Sequence, residues 1–284
     1  CSGLPRAPHP MPMPIRSLVL FLVLLVLTPF ARSAEANGPR VLSFVLLSKP
    51  ELPSPDAFRA NLERRLKGRL AIDAMEADSG KVILLRTRGG TVMVGLIDAP
   101  LPKGTVDDLC PSTWYWPKAC EVTAAHRAHA VVSVLGTDLD RLDAHLLQTD
   151  AVAALMDANA LGSYWGASLH PKESFLALSA ESTREVPPAW LWVNFRLSKD
   201  ANGLSLSTQG MEAFDLREIE TKDVKRSGRD VFFLLEGLAQ YLISKGPVIK
   251  DGETIGDSPA LNIRVRQGPS YWRDGATVYR VLFP

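Results

Sequence analysis

The chain has 284 residues, 46% apolar and 22% charged, with 32 basic against 31 acidic side chains. This composition excludes a disordered chain and suffices for one large or two small cored domains. A formal charge of +1, with no basic run of five or more residues, excludes nucleic acid as the main partner, because phosphate binding needs concentrated positive charge.

The N-terminus reads as a targeting segment. Arg16 precedes the apolar run Leu18 to Leu27, followed by the breaker Pro29 and the small residues around Ala34-Glu35-Ala36, the pattern of a secretory signal peptide cleaved after Ala36. The run is about ten residues, whereas a bilayer span needs ~20; an uncleaved leader anchored in the inner membrane is the alternative. The residues ahead of Met11 or Met13, CSGLPRAPHP, read as upstream sequence and are set aside. Removing residues 1–36 takes away Arg6, Arg16, Arg32 and Glu35 and leaves a net charge of about −1. The expected location is periplasmic or secreted, with the membrane involved only through the signal segment during export. There Cys110 and Cys120 can bridge across CPSTWYWPKAC, the alternative being that Cys120 is a buried helical thiol.

In chain order, Val41 to Leu47 predicts a strand. Ser54 is a helix N-cap with Pro55 at the first helical position, and Ala57, Phe58, Leu62 and Leu66 recur at helical spacing with Arg59, Glu63, Arg64 and Lys67 opposite. Lys81–Arg86 and Thr91–Ile97 predict a hairpin about Gly89-Gly90. A helix Pro117–His129 is expected to run into a strand Ala130–Leu135. Asp138–Ala160 reads as a longer helix. A strand Ser163–Leu169, a helix Lys172–Ser182, a hairpin of Trp190–Leu197 with Leu204–Thr208, a helix Gly228–Lys245 and a strand Pro247–Lys250 are then expected to repeat the earlier order, before two tail strands, Leu261–Val265 and Thr277–Phe283. The expected fold is α+β, with mixed sheets in two βαββαβ, ferredoxin-like units related by duplication and packed together. The units fall at 37–137 and 161–284, joined by a connecting helix 138–160.

The segments VMVGLIDAPLP, the Trp114-Tyr115-Trp116-Pro117 cluster, HRAHAVVSVLG, GSYWGASLHP, LWVNFRLSKD, STQGMEAF and GPVIKDGETIG carry a resemblance. In their order and wording they resemble the bacterial family of domain of unknown function 4261, from roughly Val41 to Phe283. The resemblance implies a soluble protein with no established reaction. The signal peptide departs from the expectation that most relatives are cytoplasmic.

Two candidate sites stand out. On a helical wheel His126 and His129 share the arc of Ala119 and Val122, facing inward. They could serve a metal or acid-base site, with Asp138, Asp140, Asp143 or His145 as further ligands, but no HExxH is present and zinc needs a third protein ligand. The competing reading has both rings satisfied by backbone carbonyls or by Ser133 or Thr137. Trp114 and Trp116, with Tyr164 and Trp165, are candidate binding residues, although Trp165 also suits a lid on the core. Asp251, Glu253 and Asp257 make a poor calcium loop and a better turn at Asp251-Gly252. No GxSxG, P-loop or GxGxxG occurs, and no cofactor or metal is expected. The expected function is an exported, non-enzymatic binding protein whose partner is another protein or a small ligand, with an immunity or accessory role as a narrower version by analogy. The alternative is a metal-assisted hydrolase using His126 and His129.

Overall fold

The computed structural model describes residues 41–135, 138–156, 159–256 and 262–284; the leader, Thr137 and Asp257 lie outside them. The apolar run Val41–Leu47 (β1) is buried on both faces, Val45 and Leu47 to one side and Leu46 to the other. Only a central strand meets that condition. β1 lies antiparallel between Ala128–Leu135 (β5) and Ala160–Trp165 (β6). Outward from β5 come Gly90–Ile97 (β4), Val82–Thr87 (β3) and the edge strand Ile72–Asp78 (β2); Ser168–Pro171 (β7) closes the other edge, completing a seven-stranded antiparallel sheet.

Helix Pro55–Leu66 (α1) begins where the Ser54 hydroxyl accepts the Ala57 N–H, and it buries Phe58, Leu62 and Leu66. Helix Arg141–Leu155 (α3) is capped by Asp140 and buried almost throughout. It is tied to the sheet by Gln148, whose amide donates to Ser43 Oγ at 2.7 Å and to the Val132 carbonyl at 2.6 Å. The opposite face of the sheet is covered by the segment that holds the short helix Ala119–Ala125 (α2), with Leu101, Val106, Cys110 and Trp116 packed on Leu46 and Leu169.

After Lys172–Ala180 (α4) and the single turn Ala189–Trp192 (α5), a six-stranded sheet forms from Asn194–Lys199 (β8), Leu204–Gln209 (β9), Ile219–Val224 (β10), Thr254–Ile255 (β11), Ile263–Pro269 (β12) and Thr277–Leu282 (β13), in the order β11-β12-β13-β10-β9-β8. The β10–β13 pair is parallel. Helix Gly228–Lys245 (α6), capped by Ser227, contributes Val231, Leu235, Leu238 and Leu242 to the core shared by both sheets. The described residues, from Val41 to Pro284, form one compact unit. No helix among the described residues is long and apolar enough to cross a membrane.

The α+β class with two sheets agrees with expectation, but the strand pairing differs from a duplicated βαββαβ unit. After α1 the chain goes to the far edge, at β2, rather than to a parallel neighbour of β1, so the first sheet is antiparallel among its described strands. β6, expected to open a second unit, pairs instead with β1, and β7 pairs with β6 at the sheet edge. The strand expected at 163–169 is a hairpin turning at Gly166. The apolar run expected as a strand from Trp190 starts as α5, because AWLW follows Pro187-Pro188, and Pro247–Lys250 is not in a strand.

Candidate functional site: a cationic cleft

The expected helix through His129 ends at Ala125. His126 is already extended, at φ −67° and ψ 141°, and His129 lies within β5, in register with Ile97 and Leu46. The two rings therefore do not share a helical face. His126 Nδ1–H donates to the Thr123 carbonyl, while Nε2 accepts the Leu101 N–H at 2.8 Å. Both nitrogens of a neutral imidazole are thereby engaged, and a metal would have to displace the Leu101 bond. His129 Nδ1–H donates to the Ala99 carbonyl at 2.8 Å. Burial holds its pKa below the ordinary value, the Ala99 bond opposing and His126 adding to the shift.

Of the carboxylates considered as further ligands, Asp140 and Asp143 work elsewhere. Asp140 caps α3 and, with Asp143, holds Arg184. His145 donates to the Arg141 carbonyl from among Trp165, Trp192 and Phe214. Among the described residues no three His, Cys, Asp or Glu side chains could together hold a metal. In the acidic turn, Asp251 pairs with Arg266 at 3.0 Å and Glu253 accepts the Lys250 N–H.

The four candidate aromatic binding residues do not converge. Tyr164 and Trp165 are neighbours in β6, so they point to opposite faces of the sheet. Trp165 enters the core beside His145 and Trp192, while Tyr164 stacks on Phe44. Trp116, expected as a contact residue, is 8% exposed, because its loop is folded onto the sheet and closed by the Cys110–Cys120 disulfide. Trp114 is 41% exposed, but its indole N–H donates to the Phe195 carbonyl and its ring stacks on Trp190. It ties the loop to the second sheet.

A different site emerges at the C-terminal end of α1. The helix stops where Lys67 turns left-handed at φ 48° and Gly68 follows at φ 79°. The chain then bends around α3, and together with the end of α4 and the loop to Glu185 it walls a cleft of about 800 Å³. Arg64, Arg65, Lys67, Arg69 and Arg184 line it, against Asp143, Asp150 and Glu185. Asp150, 5% exposed, sits at its base and pairs with Arg69. Burial raises the Asp150 pKa, while Arg69, Arg65 and Lys67 pull it down. Arg65 is itself lowered by burial, Asp150 opposing, and donates to Ser179 Oγ at 3.3 Å. One carboxylate thus faces three cations. The cleft lining includes no imidazole or thiol, and the hydroxyls of Ser179 and Ser182 donate to helix carbonyls. The arrangement suits holding an anion rather than attacking one.

The C-terminal strands follow a separate pattern, in which buried carboxylates anchor turns. Glu218 accepts from the Thr208 hydroxyl at 2.6 Å and from the Gly210 and Met211 N–H groups, and Glu220 accepts from the Ser270 hydroxyl and the Tyr271 N–H. Residues 207–282 match the family model described as Domain of unknown function (DUF4261). The DUF4261 match covers α6 and β10 to β13 with half of β9, and it supports the resemblance over that part of the chain. The cleft lies outside the DUF4261 segment. No curated protein and no solved structure matches the chain.

In the sequence, Arg64 and Lys67 fall on the side of α1 opposite its apolar residues, and Asp150 belongs to no motif. The available signals were the cation density of RRLKGR and a lone carboxylate within the apolar stretch LLQTDAVAAL. Neither says that the two segments meet.

Proposed function

We propose that the protein is an exported, non-enzymatic binding protein whose cleft between α1, α3 and α4 takes a small anionic ligand. The observation that carries this reading is the charge imbalance at the base, where Asp150 is the buried counter-charge for Arg65, Lys67 and Arg69. Half-buried guanidinium groups in excess over carboxylates favour an incoming oxyanion, which an arginine fork can bind through two hydrogen bonds. Export is supported by the signal-peptide pattern and by the Cys110–Cys120 disulfide, a feature of oxidising compartments. The hydrolase alternative is less well supported, since both ring nitrogens of His126 are engaged by the backbone.

The test is thermal unfolding of the protein titrated with inorganic phosphate, citrate and glucose. A saturable rise in melting temperature is expected with phosphate or citrate and not with glucose, about 5–10 °C at a hundredfold excess over Kd. The Arg65→Gln/Lys67→Gln variant should shift that titration to about tenfold higher ligand concentration. Anions that act no better than glucose, or a double variant that responds like the parent, would overturn the reading.

A further inference from the structure

The open face of the second sheet carries charge that the cleft does not account for. The opposite face is the core side, where Ile219, Tyr279, Val281, Ile263 and Val265 join the core that α6 also enters. Alternation along each strand sends the intervening residues outward. Cross-strand register aligns Arg266 with Arg280, Arg280 with Glu220, Glu220 with Ser207, and Ser207 with Arg196. Arg264 and Lys222 lie two residues along on the same face, and both are exposed, as are Arg196 and Arg266. The acids on this face are already engaged: Glu220 by Ser270 and Tyr271, and Asp251 by Arg266 and the Gln267 N–H at 2.8 Å. Glu220 draws the 270–276 loop onto the sheet, where the Arg280 guanidinium lies 4.2 Å from the centroid of the Tyr271 ring. The next residue on that loop, Trp272, is 48% exposed. In a chain whose net charge is only +1, this is a local cationic excess with an aromatic group at its border.

We infer that this face docks an acidic protein surface. Charge complementarity sets the sign of the partner. Composition favours a protein over another polyanion, because protein interfaces are enriched in Arg, Trp and Tyr and depleted in Lys, and Lys222 is the one lysine among the face residues named above. Neighbouring strands about 4.8 Å apart make a patch roughly 20–25 Å across, comparable to one side of a standard interface. Arg264, Arg266, Arg280, Lys222 and Trp272 all fall in the DUF4261 segment, so the surface is independent of the cleft.

Fluorescence anisotropy of a labelled acidic peptide of Glu-Glu-Leu repeats, titrated with the full chain at fixed salt, tests it. Single-stranded DNA and phosphatidylglycerol vesicles are titrated alongside, and circular dichroism checks that each variant is folded. The peptide is expected to bind. Arg196→Glu/Arg264→Glu should weaken binding about tenfold or more, and Trp272→Ala about threefold. Absence of peptide binding, indifference to the double charge reversal, or loss from charge alone with no contribution of Trp272 would overturn the inference. So would tighter binding of DNA or vesicles through the same arginines.

Discussion

Two buried histidines outside the sequence-predicted pair carry the clearest pH signature of single residues. Burial lowers the pKa of His145 to about 4 and of His170 to about 4. Neither nitrogen of His170 has a protein hydrogen-bond partner, the Trp190 backbone lying near without bonding geometry. A folded pKa below the unfolded value of about 6.5 means that protons bind the unfolded chain more tightly. The stability these rings contribute is therefore complete above about pH 6.5 and is lost as pH falls through the folded value, about 3 kcal/mol per ring by pH 4. Asp150 and Glu236, both raised by burial, act in the opposite sense. The decisive comparison is thus between variants. Urea midpoints from pH 7.5 to 4.5 should fall less in His145→Phe/His170→Phe than in the parent, and parallel curves would show that these rings do not titrate as described. At this scale the sequence offered backbone-satisfied rings as one of two readings of His126 and His129, through a shared helical face that the structure does not have, and carried no sign that His170 would be buried without a partner. Burial of a strand residue depends on which strands arrive beside it.

Among the elements, the disulfide-closed loop does the most to shape one face of the first sheet. It brings Trp116 and Cys110 onto Leu46 and Leu169, and the Cys110–Cys120 bridge spans ten positions. Removing a cross-link of that loop length costs about 3 kcal/mol through the entropy returned to the unfolded chain. Cys110→Ala/Cys120→Ala should lower the denaturation midpoint accordingly and shift tryptophan emission to the red as Trp116 meets water; an unchanged midpoint with unchanged emission would remove the loop from this role. Legibility divides along physical lines here. β1, α1 and the β3–β4 hairpin were readable because cap, period and Gly-Gly turn agree in one short window. β2 and β10 were not. IDAMEAD is an edge strand without clean alternation, and IETKDV buries Glu220 and Thr221, polar residues that only their distant partners make buriable. The cationic end of α1 was legible as charge, and its function as one wall of a cleft was not.

At the scale of the whole molecule, the internal duplication suggested by similar element order does not describe how the chain closes. β6 and β7 come after α3 in sequence but sit in the first sheet, β6 against β1 with Val45 opposite Ser163 and Phe44 opposite Tyr164, and β7 beyond it. Non-local pairing of this kind is set by which edge the early strands leave open, and two short sequence similarities carry no information about that. It follows that the chain should not divide at the connecting helix. Residues 37–156 alone would leave β1 as a bare edge with Leu46 and Phe44 exposed beside it, while residues 159–284 would carry the β6–β7 hairpin with the β1 side of β6 unpaired. An unpaired apolar edge promotes aggregation. Expressed separately, the two pieces are expected to be insoluble or unfolded by circular dichroism, and co-expression should recover a soluble complex. Two independently folded pieces, each with a cooperative thermal transition, would reinstate two autonomous units and make the shared sheet a contact between domains.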